Sequence, residues 1–197
     1  MITGELERVQ RLVTPPAVEP VSLPEAKEWA RVTGADDDDL VETLIAAARR
    51  HVEELTGRAL ITQTWDTFLP AFPCEILLRP RVQSVTTVKY ADPATGNQLT
   101  LASSEYTVDL KAEPGRIVPA YGKSWPSTRC VPNAVEVRHV CGYGSDQESV
   151  AQEAEDLLSA IKILVSTLDK NRETIVTGTI VAQLPMSFRQ LISGYRV

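Results

Sequence analysis

The sequence predicts an α+β fold: an α-helical bundle assembled from N- and C-terminal helices, with an antiparallel β module inserted between them. Apolar residues recur every three or four positions near both ends of the chain, at residues 41–55 and 150–168, and this is the spacing of amphipathic helices. Between residues 60 and 143, short segments rich in β-branched and aromatic residues alternate with turn sequences, as in antiparallel sheets.

These patterns divide the chain into four parts. Residues 22–58 and 145–172 are predicted to form the helical core domain, and residues 59–144 the inserted β module. Residues 1–21 are predicted to be an extended N-terminal arm, because closely spaced prolines break helices and remove backbone donors. Residues 173–197 are predicted to be a C-terminal arm.

Composition and charge narrow the class of protein. The 197 residues are 43% hydrophobic and 23% charged, which is ordinary for a globular protein. No run approaches the roughly 18 apolar residues of a membrane helix, and the first ten residues lack the basic start and apolar stretch of a secretion signal. We therefore expect synthesis in the cytoplasm and no membrane partner.

The net charge of −6 and the lack of a dense basic run argue against a protein that reads DNA sequence. They allow a protein that DNA passes without binding, because an acidic wall repels phosphates. The cysteines are odd in number and widely spaced, so we expect neither a disulfide framework nor a zinc site built on thiolate pairs at Cys74, Cys130 and Cys141.

The first two helices have clear boundaries. Ser22 and Glu25 predict a capping box for the first helix, and Gly34 predicts its end. The second helix is predicted from about Asp38 to Thr56, with Gly57 after it. The run of aspartates at 36–39 is interpreted as a helix cap, because it lacks the spaced ligands and the glycine of a calcium loop.

The β module and the C-terminal part follow in order. Five strands are predicted, at residues 62–68, 75–78, 85–90, 105–109 and 134–140. A long helix then begins at a second capping box, Ser149 and Gln152, and its apolar stripe is predicted to pack on the second helix. Residues 174–181 are β-prone, and the segment after Pro185 is too short to be a stable helix alone, so it requires another surface.

No residue is predicted to be catalytic, cofactor-binding or metal-binding. His139 and Cys141 share one face of a predicted strand and form the best nucleophile–base pair, but no carboxylate is placed to orient the histidine. A cysteine in such a strand is more often a small core residue. Residues 142–144 (Gly-Tyr-Gly) are interpreted as a tight turn, because they lack the lysine and spacing of a phosphate loop.

The ordered set of motifs resembles the head–tail connector (adaptor) family of tailed bacteriophages, including the adaptors of gene transfer agents. The resemblance runs over residues 15–170, and its most specific part is Thr56-Gly57-Arg58 through to Trp65. Further members of the set are the segment around Leu23-Pro24-Glu25, Arg79-Pro80, Tyr106 to Asp109, Trp125-Pro126 and Gly142-Tyr143-Gly144.

The resemblance implies a structural protein and no enzyme. Such a protein forms a twelve-fold ring of identical copies beneath the portal, extends the DNA channel and offers a docking surface to stopper or tail proteins. Its place would be the neck of the virion, with DNA close by in the lumen and no cofactor. Another neck or tail-completion protein, a stopper or a tail terminator, is the alternative, and a small enzyme is the remote one.

Two expectations concern the surfaces of such a ring. We expect the side that faces the lumen to be net acidic. We expect the C-terminal arm to dock on the portal, because its apolar residues need a surface outside a short segment. The residues predicted to dock are Ile175, Val176, Ile180, Val181, Phe188, Leu191, Ile192 and Tyr195.

Overall fold

The structure, a computed structural model, describes residues 8–170 and 185–196. The chain divides into two compact units. The β unit comprises residues 1–15 and 62–142, and the helical unit comprises residues 16–61 and 143–197. The predicted α+β class is confirmed.

The helical unit is built from four helices among the described residues. They are α1 (Leu23–Ala30), α2 (Asp38–Thr56), α3 (Gln147–Lys170) and α4 (Met186–Ser193). The apolar faces of α2 and α3 form one core together with α1 and α4, so the prediction that the stripe of α3 packs on α2 is confirmed. The backbone of α3 leaves helical geometry at Ala154, which is itself buried.

Local sequence determines where these helices begin and end. The main-chain N–H and the hydroxyl of Ser22 donate to the carboxylate of Glu25 at 3.2 and 2.7 Å, so the first predicted capping pair is present. The second is wrong: α3 begins at Gln147, and the carboxylate of Asp146 accepts the backbone N–H of Ser149 at 2.9 Å. The hydroxyl of Ser149 also donates to Asp146, at 2.7 Å, so Asp146 is the residue that caps the helix.

The β unit contains two antiparallel sheets. Its strands are β1 (Val9–Thr14), β2 (Gln63–Leu69), β3 (Ile76–Leu77), β4 (Val82–Ala91), β5 (Gln98–Thr100), β6 (Tyr106–Asp109), β7 (Arg116–Pro119) and β8 (Val135–Cys141). The larger sheet has the order β1-β2-β8-β4-β5, and the smaller has the order β3-β7-β6. One apolar cluster takes residues from both sheets, so they share a core.

Three strands were not predicted from the sequence. β5 and β7 have three and four residues, which is too short for a clear alternation. The third, β1, corrects the prediction of an extended arm over residues 1–21. Residues 9–14 lie at the edge of the larger sheet, where Val9 is opposite Phe68 and Arg11 is opposite Asp66. The backbone donors and acceptors of this segment pair with β2, which begins 49 positions after Thr14.

Candidate assembly surfaces

The C-terminal helix is part of the core of the helical unit. Phe188 and Ile192 of α4 are fully buried there, and the ring of Phe188 stacks on that of His51 with centroids 6.2 Å apart. Leu191 and Tyr195 are partly buried against the same core. The prediction of a C-terminal arm at residues 173–197 is therefore corrected for its last part, because residues 185–196 pack on their own unit.

Because α4 packs in this way, the residues predicted to dock on the portal are not all available to a partner. The side chains of Phe188 and Ile192 are enclosed by their own unit, so this conformation leaves them no surface for a partner. Leu191 and Tyr195 expose only part of their surface. The remaining four predicted positions lie outside the described residues, namely Ile175, Val176, Ile180 and Val181.

Arg58 anchors the end of the chain. Gly57 has φ +71°, a left-handed conformation that ends α2 and directs the chain into Arg58. The nearly buried guanidinium donates through Nε to the carbonyl of Tyr195 at 2.7 Å and lies 5.6 Å from the centre of its ring. It also donates to the hydroxyl of Tyr143 at 3.2 Å. Two motifs of the resemblance, at 56–58 and 142–144, thus meet at the C-terminal segment.

A buried ion network on α2, formed by Arg49 and Glu53, was not predicted from the sequence. Both residues are nearly buried, at 7% and 5% exposure. Arg49 donates to Glu53 at 2.8 Å and to Glu19 at 2.7 Å, and Glu53 accepts the backbone N–H of Leu60 at 2.9 Å. The network joins the segment before α1 to the segment after α2. The i,i+4 spacing of Arg49 and Glu53 was the available signal.

The outer face of the larger sheet carries a charge ladder. The side chain of Asp66 on β2 is fully buried beneath two arginines, Arg11 of β1 at 2.9 Å and Arg138 of β8 at 2.8 Å. The hydrogen bond from Arg138, together with Arg11 and against the opposing effect of burial, holds the pKa of Asp66 below its usual value. This ladder fastens the edge strand β1 to the rest of the sheet.

The open edge at β1 exposes three apolar side chains. Val9, Leu12 and Val13 are 48%, 40% and 38% exposed. A groove of about 330 Å³ lies next to the start of the strand, and it is lined by Val9, Pro70, Cys130, Val131, Pro132 and Asn133. Exposed apolar residues that cluster in this way mark surfaces that contact another molecule.

The candidate chemical residues are placed in structural roles. His139 and Cys141 are fully buried on the core face of β8, and burial lowers the pKa of His139 to about 4. A closed, neutral imidazole has no access to a substrate. In the run at 36–39, Asp38 forms an ion pair with Lys27, and Asp38 and Asp39 lie in the first turn of α2.

Neither a metal centre nor a membrane span is found in the described ranges. Over residues 8–170 and 185–196, no three His, Cys, Asp or Glu side chains come together as metal ligands. No helix in this part of the chain has the length and apolar character required to cross a bilayer.

Charge is unevenly divided between the two units. The helical unit contains 17 Asp and Glu residues against 10 Lys and Arg residues, while the β unit contains 9 against 10. The acidic excess of the protein therefore belongs to the helical unit. The exposed apolar edge at β1 is the feature of the described residues best suited to contact with another molecule.

Part of the chain matches a known protein family. Residues 20–93 match the family model described as "Phage gp6-like head-tail connector protein", which confirms the resemblance to the head–tail connector family. That family is one of structural phage proteins and not of enzymes. No curated protein matches the sequence.

The fold is similar to that of chains in solved structures. In "Neck of empty GTA particle computed with C6 symmetry", a chain has 21% identity and a TM-score of 0.74, with 95% of both chains covered. A chain of "Virion of native gene transfer agent (GTA) particle" has 20% identity and a TM-score of 0.72, with 95% of this chain and 94% of that chain covered. A chain of "Neck of native GTA particle computed with C12 symmetry" has 23% identity and a TM-score of 0.62, with 94% of each covered.

Proposed function

We propose that this protein is a structural head–tail connector in the virion neck of a tailed phage or phage-like particle. The observation that carries the proposal is the likeness over nearly the whole chain to chains from the neck and virion of gene transfer agent particles. The family match over residues 20–93 supports the same role from sequence. The protein acts through contacts with other chains and needs neither a reactive centre nor a cofactor.

The copies form a twelve-fold ring between the portal and the tail, and the ring extends the DNA channel. The C6 and C12 symmetry of the similar neck structures supports a cyclic arrangement of copies. The acidic helical unit faces the lumen, where its negative charge keeps the DNA phosphates from binding. Replacing four exposed acidic residues of α2 and α3 by lysine, at Asp39, Glu42, Glu148 and Glu153, would slow DNA ejection from particles. An unchanged ejection rate contradicts the acidic lumen.

Portal docking is proposed for four residues only: Ile175, Val176, Ile180 and Val181. Their β-branched, apolar side chains are suited to strand addition or to a hydrophobic groove on the portal. Deletion of residues 174–197 is a poor test, because it also removes Phe188 and Ile192 from the core. The sharper variant changes the four residues to serine and keeps α4.

Portal binding of this fourfold variant is measured by co-sedimentation with purified portal. We expect binding to fall by at least about tenfold, since four apolar contacts are lost. Met186→Ser is the matched control, because Met186 is apolar and 79% exposed at the start of α4. Equal binding by the fourfold variant and the control contradicts the docking proposal. Binding of the wild type to tail-tube protein in place of portal would favour the alternative, a stopper or tail terminator.

A further inference from the structure

The five-stranded sheet of the β unit has two open edges. Among the described residues, no strand pairs with the outer side of β1 or of β5. All three residues of β5 are exposed, and its central Leu99 is 42% exposed. On β1, five of the six residues are exposed. Each edge therefore presents unpaired backbone groups together with apolar side chains.

Natural sheets use charged residues, proline or a pronounced bulge to keep their edge strands from pairing with another chain. The two edges of this sheet have little of that protection. β5 contains no charged residue, and the one charge of β1, Arg11, is paired with Asp66. The register of β1 shifts only between Leu12 and Thr14. Four residues from Val9 to Leu12 thus form a regular edge, which is similar in length to β5.

The two edges are suited to each other in direction. Each strand of the sheet is antiparallel to its neighbours, so β1 and β5, the first and fifth in the order, run the same way. A rotation about an axis along the strands places β5 of one copy beside β1 of the next in a parallel pair. Because the two edges are different surfaces, their contact is head-to-tail, the kind of contact that closes into a ring.

We infer that β1 of one copy pairs with β5 of the next copy, so that the partner of the open edge is a second copy of this chain. The inference rests on the proposed ring and names its interface. Pairing joins the backbone of Val9–Leu12 to that of Gln98–Thr100 and buries Leu12 and Leu99. Each contact is small, so the protein assembles when other neck components hold the copies together and stays a monomer in dilute solution.

The chain provides matched controls for this interface. Leu12 and Leu99 lie on the two edges and are 40% and 42% exposed, while Leu77 on β3 and Leu110 after β6 are 40% and 49% exposed in the same unit. The four variants Leu12→Lys, Leu99→Lys, Leu77→Lys and Leu110→Lys make the same change at similar exposure. Only the first two place an ammonium group in the inferred strand pair.

The measurement is the number of copies incorporated per purified particle, with circular dichroism to verify that each variant folds. We expect the two edge variants to lose at least about tenfold in incorporation, and the two controls to stay within about twofold of the wild type. If the wild type itself is not incorporated, the connector proposal fails. If the wild type is incorporated and the edge variants match the controls, the strand pairing alone is contradicted.

A cross-linking experiment tests the pairing by distance. The exposed thiols are first removed by Cys74→Ser and Cys130→Ser. Leu99→Cys is then combined in turn with a cysteine at each of residues 9–12, and assembled particles are oxidised. The inferred pair gives a ladder of covalent multimers in at least one combination, whereas each single cysteine gives none beyond a dimer. Monomers alone in every combination overturn the inference.

Discussion

Truncation of Phe188 tests whether the C-terminal helix belongs to the core of the helical unit. The side chain is fully buried and stacks on His51 with centroids 6.2 Å apart. Phe188→Ala removes the ring and leaves a cavity, and such changes cost about 3–5 kcal/mol. We expect about 4 kcal/mol, which is a large part of the stability of a domain. Met186→Ala, at a side chain that is 79% exposed, is expected to cost less than about 0.5 kcal/mol.

The assay is urea unfolding of the full chain followed by circular dichroism at the helical band. This signal reports the helical unit because α1 to α4, the helices of the described residues, all lie in it. A cost below about 1 kcal/mol for Phe188→Ala, equal to that of the control, would refute the packing of α4. It would restore the hypothesis that the whole segment from 174 to 197 is an arm for the portal.

Three further predictions concern stability. Because burial lowers the pKa of His139 from 6.5 to about 4, the unfolded chain gains a proton first as the pH falls. The contribution of His139 to the free energy of unfolding is therefore complete above pH 6.5 and declines by up to about 3 kcal/mol towards pH 4. Urea titrations of His139→Gln should lack this dependence on pH. Asp66→Asn leaves the arginines above it facing a neutral amide and should lower the free energy of unfolding by about 2 kcal/mol at pH 7. Because the pKa of Asp66 is lowered, the variant should also lack the loss of stability that Asp66 causes as the pH falls below 3.8; an unchanged acid transition contradicts this. Arg58→Lys keeps the charge but loses the guanidinium that donates to both Tyr195 and Tyr143, so hydrogen exchange in α4 should accelerate by about tenfold; unaltered protection would show that this anchor is not needed.

Local patterns were sufficient to predict most of the fold. The boundaries of α2 agree with the prediction because the apolar period is regular and Gly57 ends the helix in a left-handed conformation. The five predicted strands were found because β-branched residues alternate between turn sequences. These signals depend only on residues that are close in sequence, and the physics that they report is equally local.

Long-range partners could not be predicted. β1 reads Val-Gln-Arg-Leu-Val-Thr without a clean alternation, and it pairs with a strand that begins 49 positions after its last residue. Burial of Arg49 depends on Glu19, which is 30 positions away. The short segment after Pro185 was expected to need another surface, and the surface is the core of its own unit. In each case the energy comes from a contact whose distance in sequence leaves no local pattern.

The central claim is that this chain is a connector in the neck of a particle. The most direct measurement is electron cryo-microscopy of particles from cells that produce the protein, with the wild type compared with a strain that lacks it. The account predicts a twelve-fold ring of density beneath the portal that this fold occupies, and the loss of that ring in the deletion strain. Particles whose neck keeps all its density without this chain, or copies of the chain located elsewhere in the particle, would contradict the account.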